Sequence, residues 1–209
     1  MPVRKITPRT FHSSHIEAMS KERYRTGRDS LTTAQVASLL EAFSRPWEKA
    51  LIHLAIAAGL RRTDLVALKR NDFYPDTGRL TYYEKKKRRT RSITIPSPAA
   101  IQDLKMHLNT SRKSEWMFPS PLNGPTFKKS HISDRQAYDL FNEHLDQIGI
   151  RRRPFHSLRA TCIKLCEKAG WTYEQTAELV GDSVRVIQEH YSTPSDEEMA
   201  QIAKSKPIV

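Results

Sequence analysis

The feature that most constrains the fold is a single β signal set in a chain that otherwise reads as helix. Segments 80–83 and 92–95 are rich in β-branched and aromatic residues, and they flank the run Lys85-Lys86-Lys87-Arg88-Arg89-Thr90-Arg91. Asp76-Thr77-Gly78 supplies a turn before the first segment, and Pro96 closes the second. The pattern predicts one antiparallel hairpin with a charged tip projecting outward. The fold class that follows is mainly α with a small antiparallel β-sheet (α+β).

Helical periodicity surrounds that hairpin. Thr32 or Thr33 can cap a helix whose apolar positions Val36, Leu39, Leu40 and Phe43 follow the i, i+3, i+4, i+7 rule. A second helix follows Pro46 with Leu51, Leu54 and Ala55 inward, and Gly59 ends it. Segment 61–70 reads as a short helix with an apolar edge of Leu65 and Leu68. Further helices are expected over 97–109, 137–148, 157–169, 173–180 and 184–191, with a Pro- and Gly-bearing loop over 110–135. Residues 1–28 are polar, basic and broken by Pro2 and Pro8, which predicts a flexible arm. The expected organisation is therefore an arm over 1–28, a folded domain over 29–192, and a tail over 193–209 with a short helix at 195–203.

At 209 residues the chain has length for one sizeable domain. Thirty-five Lys plus Arg oppose 23 Asp plus Glu, a net charge of +12, and the excess is clustered in the hairpin run and in Arg151-Arg152-Arg153. Clusters of that kind predict a polyanionic partner. No apolar run approaches the roughly 18 residues needed to span a bilayer, and the amino terminus lacks a signal-peptide stretch, so no membrane role and a cytoplasmic location are expected. Cys162 and Cys166 lie four apart on one helix face and read as small buried residues, with no metal site around them.

The residues that carry chemistry are spread along the chain in a fixed order. They are Ala58-Gly59-Leu60-Arg61 with Asp64, Leu65 and Leu68; Ile93-Thr94-Ile95-Pro96; Phe118-Pro119-Ser120; Ile148-Gly149-Ile150; His156-Ser157-Leu158-Arg159 with Thr161; Gly170; and Leu179, Gly181 and Tyr191. In that order, over residues 30–192, the sequence resembles the tyrosine recombinase family, also called phage-type integrases. The chemistry of the residues agrees. Attack on a phosphodiester builds negative charge on the nonbridging oxygens, and planar guanidinium groups match those oxygens with paired hydrogen bonds.

The resemblance implies a catalytic set of Arg61, Lys86, His156, Arg159 and Tyr191. Arg61 and Arg159 would clamp the scissile phosphate, Tyr191 would attack it, and His156 would assist removal of the phenolic proton. A lysine on the hairpin tip would protonate the leaving 5′ oxygen. Counting from Leu80 points to Lys85 or Lys86, while counting back from Pro96 lands on Arg88; Lys86 is preferred, with Lys85 and Lys87 next. Arg62, Lys85, Lys87, Arg88, Arg89, Arg91, Arg151, Arg152 and Arg153 are the expected DNA-contacting cations. Asp182 stands where the family more often has a histidine or tryptophan donor. It is expected to cap the helix that carries Tyr191, leaving Ser183 or backbone to supply the missing donor. Asp64 is expected to be structural.

The function implied is site-specific DNA recombination or integration through a 3′-phosphotyrosyl intermediate, without ATP, metal or other cofactor. The alternatives are a type IB topoisomerase-like enzyme, or a catalytically impaired descendant that only binds DNA. The implied partners are double-stranded DNA, a tetramer formed on DNA through the C-terminal tail, and accessory DNA-bending proteins. The implied source is a mobile element, a virus or a prokaryotic host. Family members usually carry an additional amino-terminal helical domain, and only about 28 residues precede the folded unit here.

Overall fold

The computed structural model describes residues 26–111, 114–120, 130–191, 194 and 196–208. Most of the arm expected over 1–28, and Pro121, Gly124 and Pro125 of the expected loop, lie outside the described residues. Among the described residues the chain is mostly helical with one small sheet. None of those helices is long and apolar enough to cross a membrane, and among the described residues no group of three or more His, Cys, Asp or Glu is placed to hold a metal ion.

The first helix, α1 (Thr33–Ala42), begins where Thr32 accepts the Gln35 amide and Gln35 answers back to the Thr32 amide, a reciprocal cap. Next comes α2 (Pro46–Ala58), which starts at Pro46, where a missing amide costs nothing, and buries every residue from Ala50 to Ala58 except His53. A helix apolar on nearly all sides belongs at the centre. Indeed α4 (Pro98–Thr110) and α6 (Ser157–Lys168) pack against it, with Leu104 from α4 and Leu158, Ile163, Cys162 and Cys166 from α6 in the common core. Both cysteines are free and buried, as expected.

Between α2 and α4 the chain forms α3 (Arg62–Leu65) and a sheet of β1 (Phe73–Tyr74), β2 (Arg79–Glu84) and β3 (Arg89–Thr94), antiparallel in that order. Expected as a helix over 61–70, α3 stops at Leu65. Beyond it Lys69 pairs as a β-bridge with Trp116, and Leu68 accepts the Met117 amide, which draws the backbone away from the helical path. The two-residue strand β1 carries no alternation long enough to be read from sequence.

The hairpin also differs from expectation. β2 continues up to the basic run and β3 begins inside it, pairing Glu84 with Arg89, so only Lys85–Arg88 form the connection. Strand alternation then sends every second residue inward: Leu80, Tyr82 and Glu84 on β2, Arg91 and Ile93 on β3. The remaining helices, α5 (Asp134–Gln147), α7 (Tyr173–Val180), α8 (Val184–His190) and α9 (Asp196–Ser205), fall close to the sequence reading. Serine or threonine caps start α5, α7 and α8 at Ser133, Thr172 and Ser183.

Candidate functional site

Three local structures bring the predicted residues together. The first is the end of α2, where Gly59 adopts φ 60° and turns the chain so that Arg61 leaves at the start of α3. A Cβ at Gly59 would lie 2.8 Å from Val180 Cγ1 and 3.1 Å from Cys162 Sγ, so both the left-handed backbone and the close packing require glycine. The second is the first turn of α6, carrying His156 and Arg159. The third is the α7–α8 junction of Gly181, Asp182 and Ser183, which leads to Tyr191 at the end of α8.

Arg159 is the largest fully buried side chain of the site, its residue 2% exposed. Its Nη1 donates to the Gly59 carbonyl, while Nη2 and Nε donate to Asp182 Oδ2 at 2.6 and 3.2 Å. Arg61 donates from Nη2 to Asp182 Oδ1 at 2.7 Å and from Nη1 to Glu84. One carboxylate thus spans both guanidinium groups, giving one oxygen to each. Burial works against ionising Asp182, but the charges of Arg159, Arg61 and Lys87 prevail and hold its carboxyl below the ordinary range.

This corrects the expected role of Asp182. The cap of α8 is Ser183, whose Oγ accepts the Val186 amide at 3.3 Å. Asp182 faces inward, into the place that the sequence reading reserved for a phosphate. Ser183 acts in that cap through its Oγ as acceptor.

Glu84 is the site residue that the sequence reading missed. It is 1% exposed and binds Arg61 through Oε1 and Arg89 through Oε2, the latter at 3.0 Å. Although burial opposes its ionisation, the Arg89 and Arg61 bonds keep its carboxyl below the ordinary range. A signal was present: Leu80, Tyr82 and Glu84 alternate on one strand face, so an acid was aimed at the core just before a basic run. Asp64 is structural, as expected, and it accepts the Lys85 amide at 3.1 Å, which ties the hairpin to α3.

At the far edge, Tyr191 is 3% exposed and its hydroxyl lies 2.6 Å from His156 Nε2. Burial, and after it the charge of Arg159, pushes the His156 pKa down to about 4. His156 is exposed as a residue, which moderates that depression, but a pKa below the ordinary value near 6.5 leaves the ring mostly neutral at pH 7. A neutral ring carrying its proton on Nδ1 accepts from the phenol. Burial raises the Tyr191 pKa, with Arg159 opposing. The phenol therefore stays protonated until a base takes its proton.

The basic residues divide into two groups. Lys85, Lys86, Lys87, Arg88 and Arg89 are exposed, as are Arg151 and Arg152, which pair at the surface with Asp29 at 3.1 Å and Asp146 at 2.8 Å. Lys87 Nζ donates to the Gly181 carbonyl at 2.6 Å, beside Asp182, while the charge of Lys86 is felt at His156. Arg62 is half-buried, 3.6 Å from Asp134, on a cleft of ≈ 370 Å³ that also includes Arg61, Tyr138 and His156. Arg91 and Arg153 depart from the expected outward set. Arg91 is 7% exposed and donates to the Tyr82 hydroxyl and to the Glu178 and Leu179 carbonyls that end α7. Arg153 is 5% exposed and donates to the Asp29 and Ser30 carbonyls. In both, the guanidinium is spent on the protein's own backbone.

The fold is shared with known proteins. XerA recombinase aligns with a TM-score of 0.71 at 17% identity, over 85% of this chain and 63% of that one. The Tn1549 transposon integrase, in complex with a circular intermediate DNA, gives 0.66 at 13%, over 84% and 65%. The lambda integrase tetramer bound to a Holliday junction gives 0.60 at 20%, over 74% and 46%. The chain thus spans less than two thirds of the length of each. No curated protein sequence matches it. The sequence profile of the phage integrase family, however, matches residues 29–198, most of the chain and every site residue named above, and the chain belongs to that family.

Proposed function

We propose that this chain is a tyrosine recombinase that cuts and rejoins DNA strands through Tyr191. The observation that carries the reading is the Tyr191 hydroxyl, buried and 2.6 Å from His156 Nε2, at the edge of an anion site built by Arg61 and Arg159. The phenolic oxygen attacks phosphorus while His156 takes its proton. A 3′-phosphotyrosine bond forms as the bond to the 5′ oxygen breaks. That oxygen receives a proton from the hairpin, where Lys86 is free at the tip and Lys87 sits beside Gly181. One phosphate ester replaces another, so the step needs no ATP and the 5′-hydroxyl can reverse it.

Arg61 and Arg159 stabilise the charge that develops on the nonbridging oxygens, while the exposed Lys85–Arg89 segment, Arg62, Arg151 and Arg152 contact the duplex backbone. Arg91 and Arg153 hold the scaffold. The domain that does this is 29–192, with 193–209 available to join copies on DNA; the lambda integrase neighbour is itself a tetramer bound to a Holliday junction.

A duplex nicked close to the cleavage point traps the covalent intermediate, because the short 5′-hydroxyl strand diffuses away. A protein–DNA adduct is expected, and it disappears in Tyr191→Phe. An impaired DNA-binding protein, the reading that Asp182 in the anion site favours, yields no adduct while still shifting the duplex.

A further inference from the structure

Asp182 does more than balance charge. Arg61 already has the buried Glu84 carboxylate as counter-ion, and the helix cap that an acid at this position could supply is made by Ser183. What Asp182 adds is a bridge: two oxygens on one centre, one to each guanidinium, at 2.7 and 2.6 Å. Two nonbridging oxygens of a phosphodiester would make the same pair of contacts. A carboxylate and a phosphate cannot share that place, because two anions would face each other across a largely buried gap.

We propose that the Asp182 carboxylate is a displaceable stand-in for the phosphodiester, which keeps the two-arginine site in its anion-bound geometry and closed until a phosphate expels it. The inference rests on the reading of Arg61 and Arg159 as the phosphate site. The exit is local. Asp182 follows Gly181, held at φ 77°, and its side chain retains 12% exposure, so rotation about its own side-chain bonds carries the carboxylate toward solvent. It leaves as a carboxylate, since both arginines favour the ionised form. Lys87, bonded to the Gly181 carbonyl, lies beside that exit and offers the displaced carboxylate a cation.

The consequence is a threshold. A lone phosphate must displace Asp182 using only two arginines, whereas a duplex brings many further backbone contacts to the exposed basic surface. The site therefore discriminates against free phosphate and opens for a phosphate held within DNA.

The test is titration of the full chain with inorganic phosphate by calorimetry, comparing the parent protein with Asp182→Asn and Asp182→Ser, folding being checked by circular dichroism. Two variants are used because either could fold poorly. At least tenfold tighter phosphate binding is expected in the folded variants, and Arg61→Ala in the Asp182→Asn background should abolish the gain. Phosphate affinity unchanged by the substitutions, or a gain that survives Arg61→Ala, would overturn the inference. The same proteins on the nicked duplex separate this idea from the cleavage reading. A phosphate gain with no adduct from any of them leaves the stand-in role intact and removes the chemistry. An adduct with no phosphate gain does the reverse.

Discussion

Two buried arginines lie on either side of the Gly181 turn, and their partners differ in kind. Arg91 underlies the turn so closely that a Cβ on Gly181 would sit 2.5 Å from its Nη1. Its acceptors are a phenol and two backbone carbonyls at the end of α7, a favourable place for a cation because that end carries partial negative charge. The two carbonyls cannot leave without unfolding the helix end, and the phenol belongs to Tyr82, buried on β2. Arg159, by contrast, spends Nη1 on the Gly59 carbonyl and both Nε and Nη2 on a side-chain carboxylate. That acceptor can rotate away. A structural arginine is recognised by fixed neutral acceptors, and an arginine available to a ligand by a replaceable anion.

The largest expected effect falls on the replaceable side. Arg159→Lys keeps a charge but loses the planar fork, and loss of a preorganised donor of this kind costs about 3 kcal/mol of barrier stabilisation. Adduct formation on the nicked duplex should fall by roughly 10²- to 10³-fold, measured as the initial rate of covalent product. Retention of the parent rate would break the comparison.

Next comes the fixed side. Arg91→Leu leaves the Glu178 and Leu179 carbonyls without their donor, and should cost about 3 kcal/mol of stability, read from the urea midpoint. Its effect on adduct rate, corrected for the fraction folded, should be far smaller than that of Arg159→Lys. The exposed Glu178 carboxylate 3.8 Å from Arg91 contributes little to this loss.

The smallest effect concerns His156. Its folded pKa of about 4 lies below the ordinary value near 6.5. As pH falls from about 6.5 the unfolded chain takes up this proton and the folded chain does not, so His156 subtracts stability progressively until about pH 4. A ring-proton NMR titration should show this histidine still neutral at pH 5.5. A midpoint near 6.5 would mean that burial and the Arg159 charge do not reach the ring.

The same contrast explains what was legible in the sequence. Helices with strong apolar periodicity were readable, the more so where Thr32 starts one and Gly59 stops another, whereas the Ser183 cap was not read. The set Arg61, His156, Arg159 and Tyr191 was legible through the family resemblance, and the fold brings those residues together. Charge density was a poorer guide. Arg91 and Arg153 sit in basic runs yet turn inward, since strand alternation and buried carbonyls, rather than local composition, decide direction. The end of α3 and the strand β1 depend on pairing with residues distant in sequence, as at Lys69 and Trp116. Asp182 was misread for a related reason. A carboxylate before a helix is an ordinary cap, and only the arrival of Arg61 from 121 residues away and Arg159 from 23 makes it a bridge.

The account stands most directly on where DNA becomes attached. Trapped adduct from the nicked duplex, digested with protease and nuclease and mapped by tandem mass spectrometry, should carry its nucleotide remnant on the Tyr191 hydroxyl through a 3′-phosphate. A remnant on any other residue, or a folded, DNA-bound protein that never carries one, would contradict it.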